Sequence, residues 1–171
     1  MNATLAKGIR LLALDVDGVL TDGCITYGNN GEELKSFNIK DGLGIKLLQR
    51  AGVEVVIITG RSSQIVERRA KELGISRIVQ GREDKLSALL EICAQDSLEL
   101  GDCAYMGDDL PDLGAIRAVA LGFAPADACA RVRDAADWCS SAAGGAGAVR
   151  EAAEQLLAWR GQLHTLEEAF D

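Results

Sequence analysis

"LLALDVDGVLTDG", residues 11–23, runs four apolar residues straight into Asp15, with Asp17, Thr21 and Asp22 close behind. Taken with the two residues before it, the segment "IRLLALDV" reads as a strand buried on both faces, the pattern of a parallel sheet rather than of a half-exposed one. A buried strand that ends in carboxylates places like charges side by side. That arrangement is unfavourable unless a cation lies between them or one acid takes up a proton. Gly18 lets the chain turn away at once and leaves both acids at the open end of the strand.

Working outward, "GCITYGNNGEELKSFN" (23–38) reads as a hairpin around the turn signal "GNNG". "DGLGIKLLQRAG" (41–52) reads as a helix, with Asp41 as its N-cap and Gly52 as its stop. "VEVVIITG" (53–60) is the clearest strand, and "SSQIVERRAKELG" (62–74) an amphipathic helix closed by Gly74. Strands at "RIVQG", "CAYMGDD", "ALGF" and "DWCS" then alternate with helices at "EDKLSALLEICAQ", "LPDLGAIRAV" and "DACARVRDAA". A glycine-rich segment feeds a last helix in "AAGGAGAVREAAEQLLAWRG" (142–161), and the polar tail "QLHTLEEAFD" (162–171) is expected to fray. This βα alternation predicts one α/β domain over residues 1–171. Its fold is Rossmann-like: a mostly parallel sheet with helices on both faces and a small β-hairpin insertion after the first strand.

The chain has 171 residues and a net charge of −8. That balance argues against nucleic acid and anionic membrane as partners. The five cysteines form no C-x-x-C pair and there is one histidine, which disfavours zinc and favours buried free thiols in a reducing compartment. No signal-length or membrane-spanning apolar run occurs, so a soluble cytoplasmic protein is expected.

Ligands of such sheets sit beyond the carboxyl ends of the strands. The polar residues fall there: Asp15 and Asp17 after the first strand, Thr59, Gly60 and Arg61 after "VVIITGR", Lys85 after "RIVQG", and Asp108 and Asp109 after "CAYMG". Any one of these alone reads as a helix cap, but caps require neither adjacent acids nor a D-x-D. A hard divalent cation with oxygen ligands would relieve the acids, and Mg²⁺ suits a site with few carboxylates plus water and phosphate. Lys85, Thr59 and the backbone N–H groups near Gly60 complete the surroundings of a phosphoryl group. The P-loop, the dinucleotide fingerprint and the G-x-S-x-G elbow are all absent, and His164 lies in the tail. The remaining nucleophile is a carboxylate.

"DVDGVLTD", "IITGR", Lys85 and "GDDLPD" follow the order of the four motifs of the haloacid dehalogenase superfamily of phosphatases, which this chain resembles. Over roughly residues 9–158 the resemblance extends to one family within it, the 3-deoxy-D-manno-octulosonate 8-phosphate phosphatases of lipopolysaccharide sugar synthesis. It is carried by "GEELKSFNIKDGLGIKLL", "VVIITGRSS" and "AAGGAGAVREAAEQLL". The resemblance implies Asp15 as nucleophile and Asp17 as general acid and base. It implies Mg²⁺ held by the Asp15 carboxylate, the Asp17 carbonyl and the Asp108 carboxylate, and phosphate held by Thr59, Gly60 and Lys85. Asp109 and Asp112 would orient the metal ligands or Lys85. Only 41 residues separate Asp17 from Thr59 and 22 separate Lys85 from Asp108, so no cap domain fits at either place. The resemblance also implies a homotetramer in which the hairpin packs at the centre. The glycine-rich tail would reach a neighbour's site, and Arg61 and Arg150 would meet the substrate's carboxylate.

Alternatives remain at this level. Arg150 also suits an i, i+4 pair with Glu154. A receiver domain shares the acid, Thr and Lys set, but it needs an Asp after a middle strand, and "VVIITGR" has none. A sister phosphatase of a nine-carbon sugar-acid 9-phosphate would carry the same motifs. A catalytically idle oligomerisation domain would need none of them.

Overall fold

The computed structural model describes residues 1–170. The central sheet has six parallel strands in the order β5 (Ile78–Val79), β4 (Glu54–Ile58), β1 (Leu11–Leu14), β6 (Cys103–Met106), β7 (Leu121–Ala124) and β8 (Trp138–Cys139). The strand that opens the sequence reading therefore lies inside the sheet, between β4 and β6. All four of its residues are buried, which is why no alternation is visible in "LLAL".

The pleat sorts side chains into two layers. Leu12, Leu14, Val55, Ile57 and Met106 face one core with α2 (Ile39–Arg50), α3 (Gln64–Leu73) and α7 (Ala148–Arg160). Leu11, Ala13, Val56, Ile58 and Tyr105 face the other, with α4 (Lys85–Asp96), α5 (Leu113–Ala118) and α6 (Ala130–Ala135). The sheet is thus covered on both faces as expected. A short N-terminal helix, α1 (Asn2–Ala6), was not foreseen.

The hairpin is the pair β2 (Thr26–Tyr27) and β3 (Glu33–Leu34), antiparallel and separate from the main sheet. It is the only folded insertion between β1 and α2, and α4 is the only element between Lys85 and the start of the short 3₁₀ turn at Leu100–Asp102. No cap is present.

Three local expectations are corrected. Asp41 does not cap α2; Asn38 does, accepting from the Lys40 N–H. The buried Asp41 carboxylate instead accepts the Arg150 N–H at 2.8 Å, so it caps the start of α7 from across the helix pair. Residues 163–168 form a helix, α8 (Leu163–Glu168), rather than a frayed tail; Asp171 lies outside the described residues. Leu163 and Leu166 pack on the core and account for it. Cys93 and Cys103 are buried thiols, as read, but Cys24, just before β2, is exposed.

The glycine-rich segment does not project outward. Gly145 N–H donates to Val19 O at 3.0 Å. A Cβ on Gly144 would lie 1.9 Å from Gly18 O, and one on Gly145 would lie 2.6 Å from Asp22 N. Two glycines are needed because two backbones touch there, and the touching partner is the turn that follows Asp15 and Asp17.

Candidate active site

Asp15, Thr59 and Asp108 follow the carboxyl ends of β1, β4 and β6, while Lys85 heads α4. The ladder continues one step past β1, with Asp15 N–H donating to Met106 O at 3.0 Å. The chain then turns tightly: the N–H groups of Val19, Leu20 and Thr21 all converge on Val16 O. Gly18 takes φ +90°, and a Cβ there would stand 2.1 Å from Asp108 Oδ2. Only glycine lets this turn come so close to the acid from β6.

A cavity of about 270 Å³ opens there, lined by Asp15, Asp17, Thr59, Gly60, Arg61, Glu83, Lys85, Asp108, Asp109 and Asp112 among others. Nine of the ten residues singled out from sequence therefore meet in one place. Arg150 does not. It pairs with Glu154 on α7 and packs beside α2, where its Cα would lie 3.0 Å from a Cβ on Gly44.

Lys85 is the hub. Its ammonium lies 2.7 Å from Asp15 Oδ2 and 2.8 Å from Asp112 Oδ1, with its side chain 5% exposed. Burial works against its charge, but Asp15 and Asp112 outweigh that and raise its pKa. Asp112 is fully buried and saturated: Oδ1 accepts from Lys85 and from Tyr105 Oη at 2.8 Å, and Oδ2 accepts from the N–H groups of Asp108 and Asp109. It clamps both Lys85 and the loop that carries Asp108. Asp109, in contrast, is exposed and caps its own 3₁₀ turn by accepting from the Leu110 N–H. The orienting role foreseen for both acids falls structurally to Asp112.

Sequence reasoning missed Tyr105. A tyrosine inside an apolar strand gives no signal until the partner of its hydroxyl is known. Lys35 and Glu33 were missed as well. The Lys35 ammonium, from the hairpin, forms an ion pair with Asp17, and Glu33 pairs with Arg61 at 3.2 Å. Asp17 thus faces the hairpin, whereas Asp15 faces Lys85. Extension past Val16 does not persist, and the turn sends the two carboxylates to different partners.

The acids are not neutralised by what surrounds them. Oxygens of Asp15, Asp108 and Asp112 come within 4.8 Å of one another, facing one buried ammonium. Burial raises the Asp15 carboxyl to about 6; Asp112 adds to the rise and Lys85 offsets part of it. Burial raises Asp108 to about 7, reinforced by Asp15 and Asp112. A divalent cation fits this deficit. Asp112 already accepts four hydrogen bonds, whereas Asp15 accepts from the Val16 N–H and Lys85 alone, so Asp15 and Asp108 are the acids of the cluster more open to a cation. Thr59 and Gly60 line the same cavity from the end of β4.

An aspartate at the end of the first strand of a capless parallel sheet, a second aspartate two residues on, a buried lysine and an acid pair after β6 together define a phosphatase of the haloacid dehalogenase superfamily. The comparisons narrow this. The chain is 47% identical over 160 residues to the 3-deoxy-D-manno-octulosonate 8-phosphate phosphatase KdsC of Salmonella typhi, spanning 94% of this chain and 85% of that one. It is 47% identical over 158 residues to the same enzyme of Escherichia coli K12, spanning 92% and 84%. The crystal structure of the Moraxella catarrhalis 3-deoxy-D-manno-octulosonate 8-phosphate phosphatase with magnesium, phosphate and KDO matches with a TM-score of 0.97. The identity is 45%, over 99% of this chain and 98% of that one. A cobalt-bound Haemophilus influenzae enzyme matches with a TM-score of 0.89 at 41% identity, over 93% of each chain. No protein-family model matches the chain. The chain belongs to the 3-deoxy-D-manno-octulosonate 8-phosphate phosphatase family.

Proposed function

We propose that residues 1–171 act as one catalytic unit that hydrolyses 3-deoxy-D-manno-octulosonate 8-phosphate to the free sugar acid and phosphate, with Mg²⁺ as cofactor. The observation that carries this reading is the Asp15–Lys85–Asp112 array. It sets a buried carboxylate oxygen against a buried ammonium in a cavity that Thr59 and Gly60 also line. The Moraxella relative, which matches almost throughout, holds magnesium, phosphate and KDO.

In this reading an Asp15 oxygen attacks phosphorus in line, and the bond from phosphorus to the sugar oxygen breaks. Asp17 gives its proton to the departing alkoxide. Asp17 then takes a proton from water as that water attacks the aspartyl-phosphate, which releases phosphate and restores Asp15. Lys85 keeps the Asp15 carboxylate oriented and offsets charge on the phosphoryl oxygens, while Thr59 and the Gly60 N–H hold those oxygens. Bound by Asp15, Asp108 and the Asp17 carbonyl, Mg²⁺ would screen phosphate from carboxylate so that two anions can approach. Arg61, whose side chain is 40% exposed and pairs with Glu33, would receive the sugar's carboxylate in this reading. Arg150 would need a rearranged α7 or a neighbouring subunit to reach a substrate. We set the enzyme in lipopolysaccharide sugar synthesis and, on its buried thiols, in the cytoplasm. No helix among the described residues is long and apolar enough to cross a membrane.

The test is phosphate release from the eight-carbon sugar-acid 8-phosphate, from a nine-carbon sugar-acid 9-phosphate and from simple hexose phosphates, each with Mg²⁺ and with EDTA. The eight-carbon ester is expected to exceed the others in kcat/KM by at least about tenfold, the scale of one well-made substrate contact. EDTA is expected to abolish turnover. Equal rates across the panel would sink the narrow substrate and leave the phosphatase.

We further propose a homotetramer. Ile25, Tyr27 and Leu34 of the hairpin and Ile39 at the start of α2 are 42–81% exposed, an unusual amount of apolar surface for an isolated two-stranded ribbon. Light scattering is expected to give about four chain masses. A concentration-independent monomer would defeat the model.

A further inference from the structure

The hairpin does more than present an outer surface. Its second strand alternates: Leu34 points outward and is 60% exposed, whereas Glu33 and Lys35 turn inward to Arg61 and Asp17, two residues that line the cavity. The Lys35 side chain is 1% exposed although it stands on a surface ribbon. Its ammonium is ion-paired with Asp17 Oδ1 and lies 3.4 Å from Glu33 Oε1. Glu33 in turn reaches Arg61 at 3.2 Å through its other oxygen. Asp17 receives no other side-chain hydrogen bond among the described residues, whereas Asp15 is held by the Val16 N–H and by Lys85. A buried lysine is costly to desolvate and is seldom kept for stability alone.

We propose that Lys35 is a positioning residue, holding the Asp17 carboxylate at the angle from which it exchanges a proton with the leaving group and then with water. This rests on the phosphatase reading and deepens it: the hairpin supplies order to the general acid and base that the main sheet supplies to the nucleophile. Glu33 fixes the Lys35 ammonium from its other side and ties the same strand to Arg61. One ribbon therefore couples the proton-transfer group to the arginine at the rim.

The proposal separates the two half-reactions. A p-nitrophenyl ester loses its leaving group as a stable anion and needs no acid, so phosphorylation of Asp15 proceeds without a well-placed Asp17. Hydrolysis of the aspartyl-phosphate still needs it as a base. Lys35→Met keeps the length and apolar stem of the side chain and removes its charge. With the sugar-acid phosphate, kcat is expected to fall about 10²-fold, the scale of a misplaced catalytic group, with KM changed by less than about threefold. With p-nitrophenyl phosphate under Mg²⁺, Lys35→Met is expected to release a burst of one nitrophenolate per site at the wild-type rate constant. Slow turnover should follow, with phosphorylated protein visible in the mass of acid-quenched samples. Lys35→Arg is expected to recover part of the loss. A merely structural role would slow burst and turnover alike, and that result would overturn the proposal. So would a kcat within threefold of wild type. Wild-type turnover of the nitrophenyl ester without turnover of the sugar-acid phosphate would remove the substrate assignment and leave this test standing. A wild-type protein inactive on both would sink the phosphatase reading and this proposal together.

Discussion

Asp15→Asn is expected to lower phosphate release by about 10⁴-fold or more and, in EDTA at pH 8, to raise the melting temperature by a few degrees. The first effect follows from the loss of the attacking oxyanion. An amide at the same place keeps the shape but leaves no nucleophile, and the other carboxylate beside Lys85, Asp112, is fully buried with both oxygens occupied by hydrogen bonds. The second effect follows from linkage. The folded-state value of Asp15, about 6, lies above the ordinary 3.8. Between those two pH values the folded chain holds a proton that the unfolded chain has lost, so stability falls as pH rises through that window. Above it the carboxylate is fully charged and buried, and its cost is complete. Asp108 adds a like term between 3.8 and about 7.

Surface acids such as Asp84, Asp96 and Glu91, which arginines hold below their ordinary values, have the opposite slope. The informative quantity is therefore the difference in melting temperature between variant and wild type. That difference should grow from pH 4 to pH 7 and then level off. Mg²⁺ should raise the wild-type melting temperature more at pH 8 than at pH 5, where protons compete for the same oxygens, and should do little for the variant. Full activity in the variant would remove Asp15 as nucleophile. A difference that does not change with pH would remove the account of its buried charge.

How far the sequence discloses the fold depends on the range of each interaction. β1 and β4 are apolar throughout, and "VEVVIITG" or "LLAL" can hardly be anything but inner strands. The acids at their ends follow from the rule that ligands gather at the carboxyl edge of such sheets. Residues whose role is set by a distant partner stay hidden. Asp41 looks like the start of its own helix, yet its acceptor is filled by Arg150, 109 positions away. The pair "GG" at 144–145 looks like a flexible linker, yet it is tight packing against the turn after Asp15. Lys35 sits in a polar stretch where a charge is the ordinary expectation for a solvated face. Only the alternation of Glu33, Leu34 and Lys35, read against a known hairpin register, would have turned it inward. Arg61 is the stronger guanidinium candidate in the sequence, because Arg150 also suits an i, i+4 pair with Glu154, and that pair is what the structure shows. The structure separates them because one follows the end of a strand and the other lies in the first turn of a helix, within reach of Glu154.

Asp112 is expected to show the largest combined loss of stability and activity outside the nucleophile. Asp112→Asn keeps the volume, but its two faces both meet donors: Lys85 and Tyr105 on one oxygen, the Asp108 and Asp109 N–H groups on the other. Whichever way the amide turns, its NH₂ confronts a donor, and Lys85 is left with Asp15 as its one carboxylate. Breaking a buried ion pair on one side typically costs about 3–5 kcal/mol, which urea unfolding would read as a lower midpoint at unchanged slope. Activity should fall about 10²-fold, because Lys85 and the Asp108 loop both lose the atom that places them. Two comparisons isolate the cause. Tyr105→Phe deletes one of the four bonds and should cost about 1 kcal/mol with most activity kept. Asp109→Asn touches an exposed cap and should stay within about 1 kcal/mol of wild type. If Asp109→Asn were the more damaging substitution, the clamp would belong to the wrong acid. If Asp112→Asn unfolded readily but retained wild-type kcat when folded, Asp112 would stabilise the sheet edge without setting Lys85, and the ammonium would be positioned by Asp15 alone.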